Sequence, residues 1–278
     1  MSAVRSNDAS HGLDHVLDQL KASHSGPKLK ELQTFATLLL QRMPQEELAE
    51  HPGHTWAGLA SSLLRFFRER PSGAAKVRVY NPSLDEHGWD STHTVVEIVN
   101  DDMPFLVDTV SMAIGTDGTL IHLIAHPVLK VQRDPGGHIL SFGADDEGHA
   151  ESVMHFQVDR QTEPERLESL RERIESALAD VRACVRDFDG MHHRMLAIAE
   201  SLADAKPPHD GETVIEAADF LRWAADNHFT FLGYRAYETS MADGQTVLRA
   251  VQGSGLGILK GDESQLPTRP LRANCRTS

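Results

Sequence analysis

The stretch Asp101-Asp102-Met103-Pro104-Phe105-Leu106-Val107-Asp108 is an acidic turn that contains a proline, and it decides the fold. The β-branched run Thr92–Val99 precedes it, and the apolar residues 120–128 follow it. Asp102 can cap a helix, and Pro104 suits a first turn because its missing N–H has no partner there in any case. Apolar residues then recur at helical spacing until two glycines end the pattern. This stretch therefore predicts a strand, a tight turn, a helix and a second strand.

Alternating apolar residues around this turn predict an antiparallel sheet. Strands are expected at residues 76–80, 93–99, 119–133 and 151–159. Pro127 interrupts the third of them and indicates an edge position or a bulge. Thr162 and Glu165 form a capping box at the start of a long amphipathic helix. The order predicts an α+β fold: a two-layer, ferredoxin-like βαββαβ sandwich flanked by helices, with strand 76–80 in the place of the usual fourth strand.

Changes in composition divide the chain into four parts. Residues 1–75 are a polar tail and a preface of amphipathic helices, and residues 76–190 are the sandwich. Residues 191–211 are a helix and a linker that ends in Lys206-Pro207-Pro208-His209-Asp210-Gly211. Residues 212–278 contain a helix and a hairpin, too little for an independent core. We interpret them as the start of a second α+β domain that this chain does not complete.

The overall composition excludes several classes of function. The net charge of −14 over 278 residues argues against binding to nucleic acid or to an anionic membrane, since both require basic patches. No apolar run approaches the roughly 20 residues of a membrane span. Cys184 and Cys275, the two cysteines, lie far apart without metal-ligand spacing. A reducing, cytoplasmic location is the expectation.

Histidines on the sheet are the first candidates for a functional site. His122, Ile124, His126 and Val128 share one strand face, and His155 lies on the expected partner strand. Residues i and i+4 of a strand are about 13 Å apart, too far for two histidines to share a zinc ion easily, so no metal site is predicted. The face is nevertheless too apolar to be fully hydrated. We expect an interface there, covered by a second copy of the chain, the helical preface or the next domain.

The turn Asp102-Met103-Pro104-Phe105-Leu106 resembles that of ACT domains, small regulatory modules with an Asp-x-Pro-Gly-Leu-type turn between a strand and a helix. The resemblance implies that an amino-acid effector could bind at Asp101, Asp102, Met103, Pro104, Phe105 and Leu106, with its ammonium group on Asp102. Two observations favour other roles for the turn. Phe105 replaces the glycine that lets a ligand approach the backbone, and acidic residues at a helix start also serve as caps. Effector binding and a purely architectural role both stay open.

Over residues 30–260 the chain is similar to the N-terminal regulatory region of the large bacterial NAD-specific glutamate dehydrogenases. The stretches that carry this resemblance are residues 101–108, 121–123, 126–128, 151–156, 218–223, 229–235 and 253–259. The resemblance implies a parent enzyme that uses NAD to oxidise L-glutamate to 2-oxoglutarate and ammonia. It also implies, as partners, the rest of that chain, further copies in a homo-oligomer and an amino-acid effector.

The segment itself is expected to be non-catalytic and to hold no cofactor. Gly253-Ser254-Gly255-Leu256-Gly257 does not have the G-x-G-x-x-G spacing of a dinucleotide loop. No lysine lies in the glycine-rich setting that the dehydrogenase active site needs. Two alternatives remain from other classes: a free-standing amino-acid-sensing ACT-like regulatory protein, and a metal-dependent hydrolase that rests on the histidines alone.

Overall fold

The computed structural model describes residues 9–144, 147–204, 211–242 and 245–260. By packing, the chain forms two compact units, Met1–Ala179 and Asp180–Ser278. The helices are α1 Ala9–Ser23, α2 Gly26–Leu40, α3 Gln45–Glu50, α4 Gly53–Phe67, α5 Leu84–His87, α6 Leu106–Gly115, α7 Pro164–Asp204 and α8 Gly211–Trp223. The strands are β1 Lys76–Tyr80, β2 Thr94–Asp101, β3 Ile121–Ala125, β4 Val128–Arg133, β5 Ile139–Gly143, β6 His149–Val158, β7 Gly233–Tyr234, β8 Tyr237–Ala242, β9 Gln245–Ala250 and β10 Leu256–Gly257.

The sheet of the first unit is antiparallel, with β6 at its centre. Strand β6 pairs with β2 along one edge and with both β3 and β4 along the other, while β1 extends the sheet beyond β2 and β5 beyond β4. Pro127 separates β3 from β4 without interrupting β6, because its carbonyl accepts a hydrogen bond from Val153 N at 3.0 Å. The predicted α+β class is confirmed, and β1 occupies the place of the fourth strand.

Helices pack against both faces of this sheet. On one face, Val95, Val99 and Val153 join a buried cluster with Phe35 of α2 and Phe67 of α4. The alternation of strand side chains turns the neighbouring residues to the opposite face. The buried residues there are Val96, Ile98, Met154 and Phe156 on the strands, Leu106, Val110 and Ile114 on α6, and Leu170 and Ile174 on α7. The helical preface is thus a third layer of the domain.

The turn before α6 differs from its prediction in one respect. The helix begins at Leu106, two residues after Pro104, and the preceding Phe105 has a left-handed backbone with φ 67°. None of the described side chains caps this helix, so the expected cap by Asp102 is wrong. Its carboxylate accepts a hydrogen bond from Ser152 instead, fifty residues further along the chain.

The second unit is built on the C-terminal half of α7, which runs through Gly190 without a break. A π-helical turn, Ala224–His228, extends α8. The short strand β7 pairs with β10, and β8 pairs with β9. The linker positions 206–210 and the hairpin turn at 243–244 lie outside the described residues. None of the described helices is both long enough and apolar enough to span a membrane.

Candidate functional site

The acidic turn is held against the start of β6. Asp102 N donates to Ala150 O at 2.9 Å, which continues the pairing of β2 and β6 by one residue. Phe105 follows in the left-handed region, which an L-residue other than glycine adopts at a cost of about 1–2 kcal/mol. Its ring stays 55% exposed. The backbone therefore takes a conformation that favours the family's glycine, with a phenylalanine in its place.

A chain of hydrogen bonds links this turn to the centre of the sheet. Ser152 Oγ donates to Asp102 Oδ1 at 2.6 Å, and His126 Nε2 lies 3.0 Å from the same Oγ. Because the serine proton points to the carboxylate, His126 must be the donor in the second bond. Burial lowers the pKa of His126, which favours the neutral ring. Ser152 thus connects the carboxylate of Asp102 to the ring of His126 and holds that carboxylate in place.

The first turn of α6 completes this site. Its backbone N–H groups have no cap from any side chain in the described part of the chain, and Asp108 is the acidic residue within that turn. Uncapped N–H groups at a helix start attract anions. An exposed carboxylate, Asp102, lies on the adjoining turn. The two features together match the opposite charges of a free amino acid.

A cluster of charged side chains, which the sequence did not reveal, lies next to the turn and holds it in place. Asp101 and Glu151 are directly opposite each other on β2 and β6. Arg70 Nη2 reaches both carboxylates, at 2.5 Å and 3.0 Å, and the arginine is only 4% exposed. Arg133 binds both oxygens of Glu151 at 2.8 Å. Arg70 comes from the loop after α4, so the cluster ties the turn to the helical preface.

The predicted interface residues divide between the two faces. Along the face that includes Ser152, the apolar Ile124 and Val128 are both 44% exposed. His122 lies at a β-bulge between Ile121 and Leu123, where its Nε2 is 2.7 Å from Oδ1 of Asp159 and its ring centroid is 4.4 Å from that of His93. His155 belongs elsewhere, and its assignment to this interface is a correction. Its cross-strand partner is Ala125, which packs against the preface, so the pleat turns His155 to the opposite, buried face.

On that buried face, His155 is part of a polar cluster. Its Nδ1 lies 3.2 Å from Glu97 Oε1, and Arg78 Nε donates to Glu97 Oε2 at 2.5 Å. Arg78 also donates to Ser62 of α4, which connects the cluster to the preface. Burial acts to raise the pKa of Glu97, but hydrogen bonds from His155 and Arg78 outweigh it and the pKa lies below its ordinary value. Glu97 is therefore an ionised carboxylate inside the domain.

The described residues give no support for a metal site or for a dinucleotide-binding loop. Within the described ranges no three His, Cys, Asp or Glu side chains are grouped so that they could hold a metal ion. The glycine-rich stretch that begins at Gly253 leads into β10 and a turn at Leu259, whereas a dinucleotide loop leads into a helix. Cys184 Sγ donates to Leu232 O at 3.2 Å, and burial raises the pKa of this thiol.

Known proteins show clear similarity to this chain. The match to the family model described as glutamate dehydrogenase, ACT1 domain, covers residues 35–174. The NAD-specific glutamate dehydrogenase of Halomonas elongata is 35% identical over 262 residues, which are 92% of this chain and 16% of the relative. The protein of the same name from Pseudomonas aeruginosa is 37% identical over 239 residues, 82% of this chain and 14% of the relative. The chain thus spans about one-sixth of the length of these relatives.

The family match covers the parts of the first unit that the geometry singles out. It begins in α2 of the helical preface, takes in the acidic turn and the whole sheet, and ends in the first half of α7. Half of the chain, including the turn, the Arg70 cluster and the two polar networks of the sheet, therefore falls within it. On this evidence the chain belongs to the family of the glutamate dehydrogenase ACT1 domain.

Proposed function

We propose that this chain is a regulatory and assembly segment of a cytoplasmic NAD-specific glutamate dehydrogenase, and that an amino-acid effector acts at its acidic turn. The parent enzyme would convert L-glutamate, NAD⁺ and water to 2-oxoglutarate, ammonia and NADH. NAD would bind elsewhere in the longer polypeptide. The observation that carries the proposal is the bond from Ser152 to Asp102, which leaves the start of α6 uncapped.

The proposed binding mode uses opposite charges on either side of the turn. The effector's ammonium group would pair with the exposed carboxylate of Asp102, whose second oxygen has no hydrogen bond among those of the described residues. The effector's carboxylate would accept hydrogen bonds from the first N–H groups of α6, from Leu106 onward. Met103, Pro104 and Phe105 form the backbone between these two points, and the half-exposed Phe105 ring borders the site.

Arg70 provides a physical route from this site to the helical preface. An effector shifts a conformational equilibrium only through contacts that differ between the two states. Any displacement of Asp101 changes its ion pair with Arg70, and Arg70 also donates its Nη1 to Ala74 O at 2.8 Å and its backbone N to Gly137 O at 3.1 Å. The loop after α4 and the β4–β5 hairpin would therefore respond to the occupied turn.

Isothermal titration of the 278-residue chain with the common L-amino acids and 2-oxoglutarate tests this proposal. We expect saturable binding of an amino acid that Asp102→Asn abolishes. Asp85→Asn is the matched control, because it removes the same charge from an exposed position of α5, outside the turn, and should leave binding in place. If no ligand produces heat with a folded wild-type sample, effector binding at the turn is refuted.

A second candidate function is assembly through the face that carries Ile124 and Val128. Both apolar side chains remain 44% exposed beside His122 and His126, and β3 pairs only with β6 among the described strands. Apolar residues grouped on an uncovered part of a sheet are typical of contact surfaces. Sedimentation of the wild type and of Ile124→Lys/Val128→Lys tests it: we expect an oligomer that the double variant dissociates. A wild type that is monomeric at high concentration would refute it.

A further inference from the structure

A small open cavity lies at the end of β6 remote from the acidic turn. Its volume is about 50 Å³, and the polar residues that line it are Asp117, Thr119, Gln161, Arg166, Ser169 and Arg173. Leu170, which is buried, forms an apolar part of its wall. Ser152 marks the turn end of β6 and Val158 the cavity end, roughly 20 Å apart at the rise of a strand. The cavity is thus separate from the proposed effector site.

The charges around this cavity do not cancel. Two guanidinium groups, Arg166 and Arg173, face one carboxylate, Asp117. Arg173 Nη2 donates to Asp117 Oδ2 at 3.1 Å, and Thr119 Oγ1 donates to Asp117 Oδ1 at 2.6 Å. These hydrogen bonds, that of Thr119 first, lower the pKa of Asp117, so it stays ionised and balances a single arginine.

Arg166 has only weak compensation for its charge. Toward the cavity its Nη1 donates to the neutral amide oxygen Gln161 Oε1 at 3.3 Å. Gln161 is oriented for this contact, since its Nε2 donates to Asp159 O at 3.3 Å. On the solvent side, Arg166 Nε lies 3.2 Å from Glu163, but both side chains are about two-thirds exposed, and such pairs are strongly screened. A positive charge therefore remains at the cavity.

Arg173 also presents a donor without an acceptor. Its Nε is buried and has no hydrogen-bond partner among the described residues. A buried N–H of a charged group is costly to leave unpaired, and native structures normally satisfy such groups with protein, water or ligand. Arg173 lines the cavity, so an acceptor that came within hydrogen-bond distance of this Nε would remove that cost.

We propose that this cavity binds a small oxyanion, a carboxylate or a phosphate group, between Arg166 and Arg173. The volume corresponds to a few water-sized spheres, which suits one such group and excludes a nucleotide base. Charge-assisted hydrogen bonds from two guanidinium groups are the usual means of holding these anions, and the hydroxyl of Ser169 adds a donor. The site does not depend on effector binding at the acidic turn.

Side-chain NMR of the whole chain tests the proposal at the atom concerned. The Arg173 Nε–H resonance, identified by its loss in Arg173→Gln, is followed while inorganic phosphate or acetate replaces chloride at constant ionic strength. We expect saturable shifts with a Kd on the order of millimolar for at least one anion. Stronger binding of phosphate would identify a phosphorylated ligand, and stronger binding of acetate a carboxylate.

Two variants distinguish a built site from general attraction of anions. With backbone resonances near the cavity as the readout, Arg173→Gln should weaken binding at least about tenfold, since it removes a charged donor. Arg171→Gln removes the same charge from the same helix, where it pairs with Glu168 and Glu175 outside the cavity, and should change binding by less than about twofold. If Arg173→Gln fails to fold, Ser169→Glu serves in its place. It puts a competing carboxylate at the cavity from an exposed position and should abolish binding.

Either of two results would contradict binding of an oxyanion in this cavity. Shifts that stay absent or linear up to about 50 mM anion would overturn the proposal, because a site of this kind should saturate in the millimolar range. Equal weakening by Arg171→Gln and Arg173→Gln would also overturn it and leave only general electrostatic attraction.

Discussion

Replacing Arg70 by methionine should destabilise the first unit more than any change to an exposed arginine. The guanidinium lies between the opposed carboxylates of Asp101 and Glu151 and is only 4% exposed. Methionine keeps most of the apolar stem but removes the charge and the hydrogen bond to Ala74 O. Two acidic groups on adjacent strands would then face each other without the cation that separates them, and like charges directly opposite are unfavourable.

The size of the effect follows from the surroundings of each carboxylate. Breaking a buried ion pair by removing one partner costs about 3–5 kcal/mol. Glu151 keeps Arg133, which binds both its oxygens, and the side chain of Asp101 is 36% exposed and can be hydrated. We therefore expect a loss of about 2–3 kcal/mol in the free energy of unfolding, just below that range. For a unit of this size the corresponding fall in Tm is roughly 5–10 °C.

Urea denaturation followed by tryptophan fluorescence measures this loss, because Trp56 and Trp89 are both buried in the same unit. Arg171→Met is the control, and its loss should stay below about 1 kcal/mol since its partners are exposed helix neighbours. Adding Asp101→Asn to Arg70→Met should cost less than the sum of the two single changes. A loss below about 1 kcal/mol for Arg70→Met, or one equal to that of the control, would refute the reasoning.

Two further changes test the turn and the buried carboxylate. Phe105→Gly should leave the stability unchanged or raise it by up to about 1 kcal/mol, because glycine adopts the left-handed φ of 67° without strain; a clear loss in urea denaturation would contradict this. Glu97 has a lowered pKa, so its contribution to stability is complete above the ordinary value of 4.5 and is lost as the pH falls through the folded value. Glu97→Gln should therefore be less stable near neutral pH and show a flatter acid limb when the unfolding free energy is measured against pH, whereas an unchanged acid limb would count against an ionised Glu97.

The helix of the acidic turn shows where prediction from sequence stops. Its apolar spacing predicted a helix over the correct stretch, because that spacing depends only on residues within a few turns. The helix starts later than predicted for two reasons that the spacing of apolar residues does not show. Ser152, fifty positions away, binds the carboxylate of Asp102, and the left-handed backbone at Phe105 delays the helix to Leu106.

The candidate interface likewise combines a feature that local alternation predicts with one that depends on the packing of the sheet. Alternation along one strand predicted that His122, Ile124, His126 and Val128 share a face, and strand pairing puts Ile124 and Val128 on one side, as the cross-strand partners of Phe156 and Ser152. His122 falls at a bulge between Ile121 and Leu123, where simple alternation does not apply. The side to which His155 points depended on its register with β3, which is set by the packing of the whole sheet. The pairing with Ala125 sends it to the buried face beside Glu97.

By itself, the sequence determined most elements of the first unit, the α+β class and the resemblance to glutamate dehydrogenase regulatory regions, since these follow from local period, turn chemistry and short stretches of residues. Only the tertiary structure decided that the preface is a third layer, that Arg70 lies between Asp101 and Glu151, and that Arg166 and Arg173 share a cavity. These contacts join segments that are far apart in the chain or depend on exact packing. Their partners are selected by burial and charge in three dimensions, which no local pattern encodes.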